Sequence, residues 1–126
     1  MTPPRLVNAT GHVVKIKTQR GSVYLKPELS VRVIEWRTEP VPIDYNNPGC
    51  TGSPIPTREL HFGGVHSLPP EDKEAQIVYI VAWPVALQLL LDGDPREDIV
   101  CLDEKVNDGG RTVASRALVY IKKTVS

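Results

Sequence analysis

Residues 77–92 read Ile-Val-Tyr-Ile-Val-Ala-Trp-Pro-Val-Ala-Leu-Gln-Leu-Leu-Leu-Asp, and this stretch decides the fold. Its first five residues, Ile77 to Val81, are β-branched or aromatic and predict a strand that is buried on both faces. Pro84 stands where a helix can begin, because the first helical turn tolerates a missing N–H. One short, mostly apolar helix is therefore predicted at about 84–92, ended by Asp92-Gly93.

Short β-rich runs surround this strand and helix. Further strands are predicted at 12–17, 22–26, 30–37, 58–62, 98–102 and 111–121. The first two flank a glycine turn and form a hairpin, and Gly63-Gly64 predicts a turn or bulge. The fold class is therefore α+β, mostly β: a compact antiparallel sheet domain with one short helix after the central strand.

The chain length fits one domain. Its 126 residues are predicted to form a single domain over 1–126, since one hydrophobic core usually serves about 100–150 residues. Five of the twelve prolines fall within residues 39–56. That segment is predicted to be a Pro/Gly-rich loop, and loops of this length are usually functional or bind a partner.

Charge and apolar patterning exclude several partners. Lysine plus arginine equals aspartate plus glutamate, fifteen each, so neither DNA or RNA polymers nor an anionic membrane is an expected partner. The apolar stretch Ile77 to Leu91 is too short to cross a bilayer, and no secretory signal opens the chain. Cys50 and Cys101 have no metal-binding spacing and are predicted to be reduced thiols of a cytoplasmic protein.

Catalytic signatures are absent from the sequence. It contains no P-loop, no GxGxxG, no GxSxG and no HExxH, so we predict no cofactor and no enzyme activity. His12, His61 and His66 are too scattered to predict a metal site. An enzyme acting on a nucleotide stays an alternative, with Glu97, Asp98 or His66 as its only candidate bases.

Polar side chains concentrate in the C-terminal third. The candidate ligand-binding residues are Trp83, Arg96, Asp98, Asn107, Asp108, Arg111 and Arg116. Arginine forks match phosphate oxygens, aspartate and asparagine bind ribose hydroxyls, and a tryptophan stacks on a purine. The structural alternative stays open, because arginines near glycine turns are usually solvated and a tryptophan after an apolar strand is usually core.

Arg111 and Arg116 present a geometric problem. They are five residues apart, so on one regular strand they would point to opposite faces. A bulge, a turn or a partner chain is needed to bring both arginines onto one ligand.

The order of the segments resembles a family of short phage and prophage proteins. Asn8-Ala9-Thr10-Gly11-His12-Val13-Val14 is similar to the opening "NLTPHxV" of that family, with Ala9 in place of leucine and Gly11 in place of proline. The resemblance continues through five more segments, at Arg32-Val33, Phe62-Gly63-Gly64-Val65 with Leu68-Pro69, Val78-Tyr79-Ile80-Val81, Arg96-Glu97-Asp98 and Gly110 to Arg116. Val106 stands where an arginine is expected.

This family resembles the phage anti-Thoeris sponge proteins, small β-rich oligomers that bind cyclic ADP-ribose signals. The resemblance implies a cytoplasmic protein of the infected bacterium that sequesters a cyclic ADP-ribose isomer or other cyclic nucleotide without cleaving it. It assigns Trp83 to the adenine, Arg111 and Arg116 to the diphosphate, and Asn107 or Asp108 to the ribose. It also implies a homo-oligomer, a dimer or a hexamer, with the pocket at a subunit interface.

Two other functions stay open. A phage structural or accessory assembly protein would use the 39–56 segment and exposed strand edges for assembly, and would bind no small molecule. A sponge for CBASS-type cyclic oligonucleotides would share the binding mechanism and differ only in its ligand.

Overall fold

A computed structural model describes residues 3–49 and 52–122. Ten strands and one helix occur along these residues: β1 (Arg5–Asn8), β2 (Val14–Thr18), β3 (Gly21–Leu25), β4 (Arg32–Arg37), β5 (Val41–Ile43), β6 (Ile55–Thr57), β7 (Leu60–His66), β8 (Ile77–Ile80), α1 (Trp83–Leu91), β9 (Ile99–Asp108) and β10 (Arg111–Tyr120). The predicted class, α+β and mostly β with one short helix, is confirmed. Within the same ranges, no helix has the length and apolar character needed to cross a membrane.

Six strands form the main sheet, in the order β1-β8-β9-β10-β2-β3. The hairpins β2–β3 and β9–β10 are antiparallel, whereas β1–β8, β8–β9 and β10–β2 are parallel, so the sheet is mixed. Helix α1 lies between β8 and β9 in sequence, and such a crossover allows neighbouring strands to run in parallel. The sheet also curls, so that its two edge strands, β1 and β3, approach each other. The segment that follows β3 pairs with the end of β1 through the Asn8–Pro27 bridge, and the Glu28 N–H donates to the Asn8 carbonyl at 2.9 Å.

The core forms where α1 packs on the sheet. Its buried side chains come from β1, β8, α1 and β9 and from the segment before β4: Val7, Ala9, Val31, Tyr79, Val81, Val85, Ala86, Leu89, Ile99 and Cys101. Tyr79 and Val81 of the β8 segment face this cluster, while Ile80 points to the other side and is also fully buried. The predicted burial on both faces is thus confirmed for Tyr79, Ile80 and Val81, whereas Ile77 and Val78 are half-buried.

Strands β4 to β7 form an arm of two successive two-stranded pairs, residues 32–49 and 52–66, that is separate from the main sheet. β4 pairs with β7, β5 pairs with β6, and the Thr38 N–H to Glu59 carbonyl bond of 3.0 Å links the two pairs. The segment 39–56, predicted as a loop, therefore contains two short strands. Gly63-Gly64 lies opposite the single residue Ile34 at a register shift, so the predicted bulge is confirmed.

Candidate functional site

The turn between β1 and β2 is built around the side chain of Asn8. Its Nδ2 donates to the carbonyl oxygens of His12 (2.6 Å) and Leu25 (2.9 Å). Its Oδ1 accepts from the Thr10 N–H (3.0 Å) and from the Thr10 hydroxyl (2.7 Å). The two donors and the acceptor lone pairs of the buried amide are thus all used. This network holds Thr10 and His12 at the end of the sheet where α1 begins.

Two cavities flank the start of α1, and we call them together the helix-head crevice. One has a volume of about 290 Å³ and the other of about 390 Å³, and both are lined by Thr10, His12 and Ala82. The smaller cavity adds Trp83, whose side chain is 49% exposed, together with Lys105. The larger cavity adds Ser30 and Arg32. Each volume is close to the lower limit for small-molecule sites.

The charges in the helix-head crevice favour an anionic ligand. Lys105 and Arg32 are its two permanent cations, and Glu35 is its single carboxylate. Glu35 has a cationic neighbour of its own, with its Oε1 4.0 Å from Nη1 of Arg37. The α1 N-terminus carries no acidic residue in its first turn, so the positive end of the helix dipole is not offset there. The crevice therefore combines a flat aromatic face with an excess of positive charge.

Arg96 and Asp98 are engaged with each other. The Arg96 guanidinium donates from Nε to Oδ1 (2.7 Å) and from Nη2 to Oδ2 (2.8 Å), and each side chain is only 8% exposed. The guanidinium also lies over the ring of Tyr79, 5.8 Å from its centre. The hydrogen bond to Asp98 raises the pKa of Arg96. The pair anchors the start of β9 to β8, and neither residue lines the helix-head crevice.

The remaining predicted residues lie on the β9–β10 hairpin. Gly109 and Gly110, both at positive φ, make its two-residue turn, and the Thr112 hydroxyl donates to Oδ1 of Asn107 at 3.0 Å. Asp108 is the cross-strand partner of Arg111. The exposed hairpin tip thus brings together Asn107, Asp108 and Arg111.

A register shift in β10 resolves the spacing of the two arginines. It falls between Thr112 and Ala114 and adds one residue, so Arg116 lies opposite Glu104, four positions before Asp108 on β9. Arg111 and Arg116 consequently share one face of the hairpin. Each arginine has an acidic cross-strand neighbour, but no ion pair within 4.0 Å joins either guanidinium to another described residue.

The two arginines and Trp83 do not meet within one chain. Val119 of β10 and Ile121, which follows the strand, pack towards the α1 cluster. Side chains alternate between the two faces of a strand, so Arg116, an odd number of residues from Val119, points away from α1. The cations that border the crevice with Trp83 are Lys105 and Arg32, neither of which was among the predicted ligand contacts. These two residues come from β9 and β4, which lie far from Trp83 in sequence. No local sequence motif predicts that they lie near Trp83.

The described ranges contain no metal-binding cluster, and the thiol of Cys101 is buried. No three His, Cys, Asp or Glu side chains cluster there in a way that would hold a metal ion. Cys101 is a free thiol, and its burial raises its pKa to about 11, so it is a protonated thiol near neutral pH. Cys50 lies outside the described residues.

Comparisons with known proteins give no relative. No protein-family model matches the chain, and no curated protein or solved structure shows significant similarity to it.

Proposed function

We propose that this protein is a non-catalytic binding protein that sequesters a cyclic nucleotide signal, with a glycosidic cyclic ADP-ribose as the first candidate. In this role it is a phage anti-defence protein that acts in the cytoplasm of an infected bacterium. The observation that carries the proposal is the half-exposed Trp83 at a crevice that also holds Lys105 and Arg32. The resemblance of the chain to phage sponge proteins supplies the ligand class.

Sequestration requires tight binding and no reaction. The adenine stacks on the Trp83 indole, a contact worth roughly 1–3 kcal/mol. Lys105 and Arg32 bind the diphosphate, where each charge-assisted hydrogen bond contributes about 1.5–3 kcal/mol. The Thr10 hydroxyl is already bonded to Oδ1 of Asn8, whereas the Ser30 hydroxyl accepts from Nε of Arg32 (3.3 Å) and keeps its proton for a ribose oxygen. Nanomolar affinity corresponds to about −12 kcal/mol, which such a set approaches only when the ligand is well enclosed.

A partner chain supplies the missing enclosure in this proposal. The face of the β9–β10 hairpin that carries Arg111 and Arg116 points away from Trp83 of its own chain. In a homo-oligomer, a dimer or a hexamer, that face can cover the helix-head crevice of a neighbour. Both arginines then reach the diphosphate, and the ligand is held between two subunits.

The direct test is calorimetry of the purified protein against cyclic ADP-ribose isomers and cyclic di- and trinucleotides. We expect saturable binding below 1 μM (a free energy beyond about −8 kcal/mol), with the bound ligand recovered chemically unchanged after heat release. Recovery of a cleaved product would mean an enzyme. Tight binding of a cyclic oligonucleotide alone would shift the ligand to the CBASS class.

Variants locate the site on the chain. In a Trp36→Phe background Trp83 is the sole tryptophan, so stacking of a purine should quench its fluorescence. Lys105→Ala should weaken binding at least 10-fold, whereas Arg20→Ala, a matched loss of one exposed cation in the β2–β3 turn, should leave it unchanged. Equal losses for both variants would show that the ligand responds to overall charge and would remove the crevice from the proposal.

A second candidate function is supported by the exposed apolar residues of the arm, which suit an assembly protein. A structural or accessory phage protein of this kind oligomerises, binds none of the nucleotides and is indifferent to Arg111→Ala. Oligomerisation without any ligand in the calorimetric panel would favour it.

A further inference from the structure

The arm exposes an unusual amount of apolar surface. Its large exposed side chains are Ile34, Trp36, Val41, Ile43, Tyr45, Ile55, Leu60 and Phe62. An isolated two-stranded ribbon is only marginally stable in water, and contiguous exposed apolar patches usually mark interaction sites. The described residues of the same chain leave this surface open. A partner surface of apolar character is therefore expected.

Helix α1 presents such a surface beside the base of the arm. Val85, Ala86 and Leu89 face the core, whereas Trp83, Leu87 and Leu91 form a second apolar stripe at intervals of four residues. Leu87 is 48% exposed and Leu91 is 72% exposed. A helix that is apolar on both faces is ordinarily buried on both faces. With Leu60 and Phe62 of β7, the stripe lines a groove of about 480 Å³.

We propose that a second copy of this chain covers both surfaces, with the arm of each protomer seated in the α1 groove of the other. One chain carries both the arm and the groove, so a two-fold axis satisfies both contacts at once and closes the assembly. The 15 cations and 15 anions of the chain balance, so the two copies do not repel each other as a whole. The groove contains a single charged side chain, Glu35, which lies beside Arg37.

Dimensions and area agree with this arrangement. Fully extended chain from Trp36 to Ile43 would span roughly 23 Å, which is the upper limit for the reach of the β5–β6 tip from the base of its own arm. The tip strands are about 10 Å long and α1 is about 13 Å long, so the tip fits along the stripe. The exposed apolar side chains of arm and stripe amount to on the order of 1,000 Å² per protomer, against the ~800 Å² that each partner buries in a stable interface.

The first test is the mass of the protein in solution, by light scattering and sedimentation velocity without any nucleotide. We expect twice the chain mass of 13.9 kDa, or a larger assembly built from such dimers. Ile43→Asp on the arm and Leu87→Asp in the groove should each weaken dimerisation at least 100-fold. Tyr24→Asp, a matched change at an exposed residue of β3, should leave the dimer intact, and circular dichroism should show all three variants folded.

Mixing the two variants tests arm exchange itself. A heterodimer of Ile43→Asp and Leu87→Asp retains one unaltered arm in one unaltered groove, so mixing should restore dimers that neither variant forms alone. In a Cys50→Ser background, Ile43→Cys mixed with Leu87→Cys should give an intermolecular disulfide under mild oxidation.

A monomeric wild type at 100 μM would overturn the proposal and mean that another molecule covers the arm. Dimers that persist in both variants, or no recovery on mixing, would also overturn it. Trp83 borders both the groove and the nucleotide site, so the variants are placed at Ile43, Leu87 and Tyr24, which do not line the nucleotide site, and the masses are measured without nucleotide.

Discussion

Arg96 and Asp98 form a two-pronged ion pair that is almost completely withdrawn from water, with N–O distances of 2.7 and 2.8 Å. The Asp98 carbonyl also accepts the Tyr79 N–H at 2.8 Å, so the pair sits where β9 joins β8. Both carboxylate oxygens have Arg96 as their partner. In sequence the same two residues suggested ligand contacts, and in the fold their polar atoms bind each other.

Arg96→Ala should therefore destabilise the fold. It leaves a buried carboxylate without its partner, which costs about 3 kcal/mol or more, and urea unfolding measures this loss. The double variant Arg96→Leu/Asp98→Leu should recover most of the stability, because no uncompensated charge remains. The exposed pair Arg5–Glu28 provides the control, since Arg5→Ala should cost less than 1 kcal/mol. A stable Arg96→Ala protein that has lost its ligand would instead make Arg96 a binding residue.

Asn8 should be among the least tolerant polar positions of the chain. The residue is 1% exposed, and Asn8→Ala removes four side-chain hydrogen bonds: those from Nδ2 to the carbonyls of His12 and Leu25, and those to Oδ1 from the N–H and hydroxyl of Thr10. Each intramolecular hydrogen bond contributes about 0.5–1.5 kcal/mol, so the loss of this network should cost about 3 kcal/mol in urea unfolding. Asn107→Ala, which removes one exposed side-chain bond to Thr112, should cost less than 1 kcal/mol. Equal costs at the two positions would contradict this role for Asn8.

Local sequence patterns predicted the elements of the fold well. The run at 77–81, the Pro84 helix start, the hairpin around Gly21 and the bulge at Gly63-Gly64 each depend on neighbouring residues and appear in the structure. The β5–β6 pair was missed because Pro42 and Pro56, read alone, indicate a loop. In the structure the two prolines lie directly opposite each other in an antiparallel pair. This pairing is compatible with two strands because proline has no backbone N–H to donate and neither residue needs one at this position.

The candidate site was less predictable, because long-range pairing decides it. Trp83 was identified from the sequence, and it does border a cavity. Lys105 and Arg32 reach the crevice only because an inner residue of β9 and the first residue of β4 lie near the start of α1, which no spacing in the sequence reveals. The bulge that aligns Arg111 with Arg116 lies in a run, Thr112-Val113-Ala114, that carries no glycine or proline to announce it.

Arg111 and Arg116 should matter for ligand binding and little for stability. Both residues are exposed and no ion pair joins them to another described residue, so each alanine variant should change the free energy of unfolding by less than 1 kcal/mol. If a partner's hairpin completes the nucleotide site, each variant should weaken binding of the cyclic nucleotide at least 10-fold in calorimetry. Lys122→Ala, another exposed cation, serves as the control. Unchanged affinity in both arginine variants would confine the site to one chain.

Cys101 should make the fold sensitive to alkaline pH. Burial raises the pKa of its thiol to about 11, above the 9.0 of an exposed thiol, so the folded state holds this proton more tightly than the unfolded state. Its contribution to stability is complete below pH 9 and is lost as pH rises from 9 to 11, by about 1.4 kcal/mol per pH unit. In a Cys50→Ser background, unfolding free energies at pH 8 and pH 10 should differ by about 1 kcal/mol more than in Cys50→Ser/Cys101→Ala. The native thiol should also resist disulfide reagents at pH 8 until urea unfolds the chain. If the unfolding free energies of the two proteins fell equally between pH 8 and pH 10, and the thiol reacted rapidly without urea, Cys101 would be accessible to solvent in the fold.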